Sequence, residues 1–250
     1  MDATPDHQLE PHPILDEFYA AQSQRLPFVR DLFNKTAPHY DALNRVFSLG
    51  TGARYRRRCL LRAGLQRGHR VIDVAIGTGL LAREAVAITG DRHSVVGVDL
   101  SEGMLRIARD KLGVPLIQGT AEGLPIADGV ADFVTMGYAL RHVSNLAGAF
   151  GEFRRALRRG GTVLALEVSK PTKPLTQLVA STYLGQVVPL LSRWTTGKAT
   201  IETLTRYYWA TIEHCVPTET ILQAMHDAGF QDSRCIVDLD IFRSFVGRNP

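Results

Sequence analysis

Between residues 70 and 168 the chain alternates short β-branched runs with stretches in which apolar positions recur every three or four residues. The runs at 70–75, 94–100, 115–119, 132–137 and 162–168 read as strands, and the stretches at 80–88, 102–112 and 146–157 read as helices. Strands that alternate with helices imply right-handed crossovers and a parallel sheet, so the fold class is α/β. The punctuation agrees with the period: Ser101 stands where a helix cap belongs, and Gly160-Gly161 closes a helix before Thr162.

The flanks follow a different rhythm. Helical periodicity runs from 28 to 65, broken near Pro38 and at Gly50-Thr51-Gly52, which predicts two or three helices before the first strand. After Lys170 the prolines Pro171 and Pro174 end the sheet regime. Helices are expected at 177–191 and 201–212, another at 218–228 ended by Gly229, then two closing strands at 231–240 and 241–247. Residues 1–26, with Pro5, Pro11 and Pro13 among polar neighbours, read as a flexible arm. The domain at 27–250 then divides into a helical cap (27–69), a ligand-binding core (70–170), a helical insert (171–217) and a closing helix and strands (218–250).

Composition narrows the function classes. A chain of 250 residues with 45% apolar content buries a continuous core. No apolar run approaches the roughly 20 residues of a membrane span, and the acidic start lacks a signal-peptide pattern, which predicts a cytoplasmic protein. Cys59, Cys215 and Cys235 are odd in number and far apart, and the histidines show no ligand spacing, so neither a disulfide frame nor a metal site is expected. The net charge of +4 is unevenly placed, with Arg54, Arg56, Arg57, Arg58, Arg62, Arg67 and Arg70 in one short segment. A solvated helix face and attraction to an anionic membrane surface or acidic substrate both fit, whereas sparse aromatic interleaving argues against nucleic acid.

Candidate chemistry sits at the strand ends. Gly77-Thr78-Gly79 follows the first strand, where two glycines let the backbone approach a ligand and the next helix offers free N–H groups. Asp99 ends the second strand, 20 residues past Gly79, placed to accept from two ribose hydroxyls. Gly77, Gly79 and Ala82 also satisfy the dinucleotide fingerprint, which keeps an NAD(P) oxidoreductase open. Asp73, inside the first strand and pointing toward the loop, suits instead an adenosyl ligand with a cationic amino-acid tail.

The run V-I-D-V-A-I-G-T-G-L-L-A at 71–82 resembles the first motif of class I S-adenosylmethionine methyltransferases, and G-V-D-L-S-E-G-M-L at 97–105 resembles their acidic loop. F-N-K-T-A-P-H-Y-D-A-L-N-R-V-F-S-L-G at 33–50, A-L-R-H-V at 139–143, the block at 154–171 and M-H-D-A-G-F at 225–230 together resemble the UbiE/MenG family, the C-methyltransferases of ubiquinone and menaquinone biosynthesis. The resemblance implies a Rossmann-like class I methyltransferase with a seven-strand, mostly parallel sheet of order 3-2-1-4-5-7-6. It also implies S-adenosyl-L-methionine as cofactor, with Asp73, Gly77, Thr78 and Gly79 at the methionine end and Asp99 on the ribose. Leu100 and Met104 would lie beside the adenine, Thr120 and Ala121 at its edge, and Tyr40 over the cofactor. Thr120 stands where the family usually has an aspartate.

The implied reaction is methyl transfer to a hydrophobic small molecule, and carbon attack requires a deprotonated phenol or enol. The family's Leu-Arg-Asn-Val is Leu140-Arg141-His142-Val143 in this chain, which makes His142 a candidate base and Arg141 a candidate stabiliser of the anion. Phe47, Tyr183, Trp194, Tyr207, Tyr208 and Trp209 are candidate walls of the acceptor pocket. Tyr55-Arg56-Arg57 replaces the family's Trp-Arg-Arg, so a specialised-metabolite C-, N- or O-methyltransferase is the alternative. Contact with the inner face of a membrane and a homodimer are compatible with the sequence.

Overall fold

The computed structural model describes residues 9–183 and 199–250. Its centre is a 7-stranded sheet of order β3-β2-β1-β4-β5-β7-β6, the order the resemblance implies. The strands are β1 Val71–Val74, β2 Val95–Asp99, β3 Leu116–Gln118, β4 Ala131–Gly137, β5 Leu157–Val168, β6 Gln231–Asp238 and β7 Phe242–Arg248. The first five pair in parallel, and β7 lies antiparallel between β5 and β6.

Helices cover both faces because the central strands are buried on both sides. On one face α3 (Gly52–Arg62), α4 (Leu80–Thr89) and α5 (Glu102–Leu112) contribute Leu60, Leu81, Ala85 and Leu105 to one apolar cluster. On the other, α6 (Leu146–Ala156) and, later in the chain, α9 (Thr218–Asp227) pack Phe150, Phe153, Ile221 and Met225 against β4 and β5. α5 begins at the expected residue, where the Ser101 hydroxyl accepts from the Met104 N–H at 3.1 Å.

A third cluster forms a cap over the C-terminal strand ends. It joins α1 (Arg25–Thr36), α2 (Tyr40–Phe47) and α8 (Ala199–Glu213) through Val29, Leu32, Leu43, Leu204 and Tyr207. α7 (Pro174–Thr182) precedes α8, and the part of the helix expected at 177–191 that follows 183 lies outside the described residues.

Two expectations are corrected. The segment read as a flexible arm is packed from Leu9 onward. Leu15 and Tyr19 are buried in the cap, and the Leu9 and Pro11 carbonyls accept from the N–H groups of Leu146 and Val216, both at 2.8 Å. The fully buried Arg25 fixes it, donating to the His12 carbonyl (2.7 Å), the Tyr19 hydroxyl (3.2 Å) and the Val143 carbonyl (3.2 Å). The fifth strand starts at Leu157 rather than near 162, because Gly160 at φ 76° lets the strand pass an irregularity in its pairing with β4 and continue.

Candidate functional site

The site is built where β1 and β4 end side by side. Each is followed by a non-glycine residue in the left-handed region, Ala75 at φ 54° and Tyr138 at φ 63°. That conformation is costly for a residue with a Cβ, and here it turns both chains sharply away from the sheet to open a cleft. The Tyr138 N–H donates to the Leu166 carbonyl at 2.7 Å, which holds the turn.

Gly77 and Gly79 follow, at φ 58° and 86°. Their surroundings differ. A Cβ on Gly77 would meet no protein atom within 4 Å, so the loop leaves open space there, whereas a Cβ on Gly79 would fall 2.2 Å from Cδ1 of Leu112. Gly77 therefore faces a cradle, and Gly79 lets α4 pack against α5.

Asp99 braces this loop. One carboxylate oxygen accepts from the Gly77 N–H and the other from the Ser101 N–H, both at 2.8 Å. Burial pushes its pKa up to about 6 although these two hydrogen bonds favour the charged form. Asp73 is pushed up to about 7, chiefly by burial, while the Thr135 hydroxyl donates to its Oδ1 at 2.7 Å and opposes the shift. Its Oδ2 is buried without a hydrogen-bond partner. An orphaned carboxylate oxygen beside an open glycine cradle suits a ligand with a cationic ammonium and ribose hydroxyls, so the residues present fit S-adenosylmethionine.

Three cavities meet here. The candidate cofactor cleft, about 100 Å³, brings together Gly77, Asp99, Leu100, Met104, Thr120, Ala121 and Tyr40 of the residues expected at the cofactor, and also His142. A smaller recess of about 30 Å³ holds Asp73, Gly77 and Thr78 with Arg56, and Gly79 lines none of the three. The Thr78 hydroxyl donates to Asp41 Oδ1 at 2.5 Å, and Asp41 also pairs with Lys111, so α2 is tied down over the glycine loop.

The third cavity is far larger, about 430 Å³, and mostly apolar. Of the expected walls, Phe47, Tyr208 and Trp209 line it, with Tyr55, Ile212 and Phe242 in addition. Tyr207 is instead buried in the cap, Tyr183 donates its hydroxyl to the Val46 carbonyl at 2.8 Å, and Trp194 lies outside the described residues. Tyr40 and Tyr138 line all three cavities and form the boundary between them.

Arg141 and His142 are brought to this boundary on different sides: Arg141 lines the large cavity and His142 the cofactor cleft. Arg141 is buried against Glu167, with Nη1 at 2.6 Å from Oε2, and donates to the Tyr138 carbonyl (3.0 Å) and the Thr211 hydroxyl (3.2 Å). Its Nη2 makes no hydrogen bond with any described residue. His142 is stacked on Tyr207 and Tyr208, with both ring nitrogens buried and unpartnered. Burial first, then the charges of Arg141 and Arg25, hold its pKa well below the usual histidine value, so the imidazole is neutral.

Sequence reasoning missed Tyr138, Glu167 and Arg56. Arg56 is buried, lines both the recess and the large cavity, donates to Asn44 Oδ1 at 3.0 Å and lies over the Tyr138 ring at 5.5 Å. Its signal, a helical arginine three positions from the apolar Cys59, was lost among neighbouring arginines.

The sequence profile of the ubiE/COQ5 methyltransferase family matches residues 19–236. The chain is 35% identical to the ubiquinone/menaquinone biosynthesis C-methyltransferase UbiE of Ectopseudomonas mendocina over 84% of both chains, and 31% identical to that of Francisella philomiragia over 82% of this chain and 83% of the other. Among solved structures it resembles a methyltransferase of Thermotoga maritima, described as a possible histamine N-methyltransferase, with a TM-score of 0.61 and 21% identity over 88% of this chain and 99% of the other. It also resembles phosphoethanolamine N-methyltransferase 2 of Haemonchus contortus, at 0.62 and 18% identity over 88% and 60%.

Proposed function

This chain belongs to the ubiE/COQ5 methyltransferase family and is an S-adenosylmethionine-dependent methyltransferase; from that premise we propose that it methylates a ring carbon of a quinol or phenol of the ubiquinone and menaquinone type. The observation that carries the reading is the 430 Å³ apolar cavity that shares the walls Tyr40 and Tyr138 with the cofactor cleft and has a buried arginine in its own wall. A cavity of that size suits a substituted aromatic ring with part of an apolar tail.

When bound, the cofactor supplies an electrophilic methyl group on a sulfonium. The protein's work is to orient the acceptor ring and to stabilise its oxyanion, since ring-carbon attack needs phenolate character. Arg141 performs the second task through the free Nη2, while Glu167, Thr211 and the Tyr138 carbonyl hold the guanidinium rigid. A fixed cation beside the phenol lowers its pKa and strengthens as negative charge develops. Asp73 would hold the ammonium and Asp99 the ribose, and Tyr40 and Tyr138, which line both cavities, would set the approach of the ring to the methyl group.

His142 is the candidate proton acceptor. Neutral, it has the lone pair that a base needs; because it lines the cofactor cleft, it takes the proton from an acceptor hydroxyl presented at the Tyr40 and Tyr138 boundary, and since burial and the neighbouring charges disfavour the imidazolium, that proton is then released to bulk water. Its test is a pH–rate profile for His142→Asn, which keeps a polar group of similar reach and cannot take a proton. Loss of turnover with unchanged KM supports the base role, and wild-type rates throughout remove it. For the reaction itself, a labelled methyl donor is offered with a quinol and product mass spectrometry locates the label. Label on the ring carbon is expected. Label on oxygen, or transfer only to acceptors of another class, would overturn the assignment in favour of the specialised-metabolite alternative.

A further inference from the structure

The rim of the large cavity carries an arrangement that folding does not explain. Leu239 lines the cavity yet is 80% exposed, and Leu49, 76% exposed, sits between Ser48 and Thr51, which line it too. Both leucines are in the left-handed region, at φ 54° and 48°. Leu239 and Asp240 (φ 64°) form the turn between β6 and β7, closed by the Ile241 N–H donating to the Asp238 carbonyl at 3.3 Å. Turns of this kind select Asn-Gly, because a branched side chain clashes with its own backbone there. Two leucines placed against local sterics and against water, at one opening, call for an apolar medium outside it.

α7 completes the rim. Asp240 accepts from the N–H groups of Thr172 (3.1 Å) and Lys173 (3.0 Å) at its start, and Tyr183 at its end is bonded to Val46. The exposed Leu175, Leu178 and Val179 follow one another at helical i, i+3, i+4 spacing. The charges around them are mixed with a cationic excess, the carboxylate of Asp240 being taken up by the Thr172 and Lys173 N–H groups and the Thr172 hydroxyl. Asp238 is engaged by Arg58 (3.4 Å) and Arg62 (2.8 Å) and Glu213 by Lys170 (3.9 Å), whereas Arg45, Arg54 and Arg57 make no ion pair among the described residues.

We propose that this rim rests on an anionic lipid bilayer, with Leu49 and Leu239 in the interfacial layer and the exposed arginines of α3 over lipid phosphates, so that a long-tailed acceptor passes from the membrane into the cavity without crossing water. The proposal rests on the quinol reading for its acceptor. A bilayer fits better than a protein partner because the centre of the face is the cavity's own opening, where a packed protein interface would have no floor. Scattered leucines with basic residues around them are how interfacial surfaces hold to anionic membranes.

The test is flotation of the purified protein with acceptor-free vesicles of phosphatidylcholine alone or mixed with phosphatidylglycerol, so that it stands apart from the identity of the acceptor. The wild type is expected to float with the anionic vesicles and to release at high salt. In the double variant Leu49→Gly, Leu239→Gly the left-handed turns are relieved, so its Tm rises by about a few degrees while its partition falls about tenfold or more. A more stable protein that no longer binds separates the proposal from misfolding. Arg57→Gln weakens binding to the anionic vesicles only. The proposal is overturned if the wild type does not float, if the glycine variant floats equally well, or if the wild type is a dimer that the glycine substitutions dissociate, since the face would then belong to a second copy. Failure of the quinol assay with flotation intact would strike the assigned acceptor and leave the membrane contact standing.

Discussion

Replacing the two loop glycines by alanine, one at a time, separates ligand contact from packing. Both residues are left-handed, so either methyl adds about 1–2 kcal/mol of backbone strain, offset by about 0.4–1 kcal/mol from the stiffer unfolded chain. Gly77→Ala meets no protein atom within 4 Å and is expected to lose only about 1 kcal/mol of stability. Gly79→Ala drives its Cβ to 2.2 Å from Leu112, and the overpacking adds about 1–3 kcal/mol, for a total of about 2–4. The binding order is reversed. The Gly77 methyl enters the cradle where the cofactor's backbone contacts form, so affinity for S-adenosylhomocysteine falls about tenfold or more, equal to at least about 1.4 kcal/mol. Gly79→Ala, where it folds, binds within a small factor of the wild type. Urea denaturation gives the stabilities and titration calorimetry the affinities. Equal stability losses for the two variants, or undiminished cofactor affinity in Gly77→Ala, would refute the division of labour.

The remaining predictions concern charge. Asp73 and Asp99 have pKa values raised to about 7 and about 6, so the folded protein holds protons there that the unfolded chain has released; the contribution of these two groups to the stability of the cofactor-free protein is therefore largest below the ordinary carboxylate range and is lost as pH rises toward 7, which thermal melts of the wild type against Asp73→Asn across that window will show as a difference that grows with pH. Because the bound ammonium favours ionised Asp73, S-adenosylhomocysteine affinity rises with pH through about 7 and binding below it releases protons, measurable as a buffer-dependent calorimetric heat. Glu167→Gln leaves the Arg141 guanidinium buried without its counter-charge and is expected to lose about 3–5 kcal/mol in urea denaturation, with kcat falling more than KM rises. Arg141→Lys keeps the charge but has no fork to reach Glu167, Tyr138 and an acceptor together, so kcat falls sharply at near-normal cofactor affinity.

Local pattern carries the sheet. The strands of the core, their order and the start of α5 follow from runs of β-branched residues, the Ser101 cap and the family blocks, and Asp99 follows from its place at a strand end. Relations that span the chain are not legible in this way. Arg25 fastens the N-terminal segment through Val143, 118 positions away, so proline content misread that segment as free. Gly77 and Gly79 look alike in a motif, and only the position of Leu112 tells them apart. Arg141 and His142 are adjacent in the chain yet face different cavities, because a short 3₁₀ turn at Leu140–His142 directs consecutive side chains apart.

The tyrosine boundary limits how such a protein can diverge. Tyr40 and Tyr138 line both chambers, so on the proposed reading a change at either is expected to alter cofactor retention together with acceptor choice. New acceptor preferences are therefore most readily acquired at the distant wall around Phe47, Trp209 and Ile212, where residues can drift without loosening the methyl donor. Homologues that keep the tyrosines and vary that wall should differ in what they methylate while remaining alike in how tightly they hold the donor.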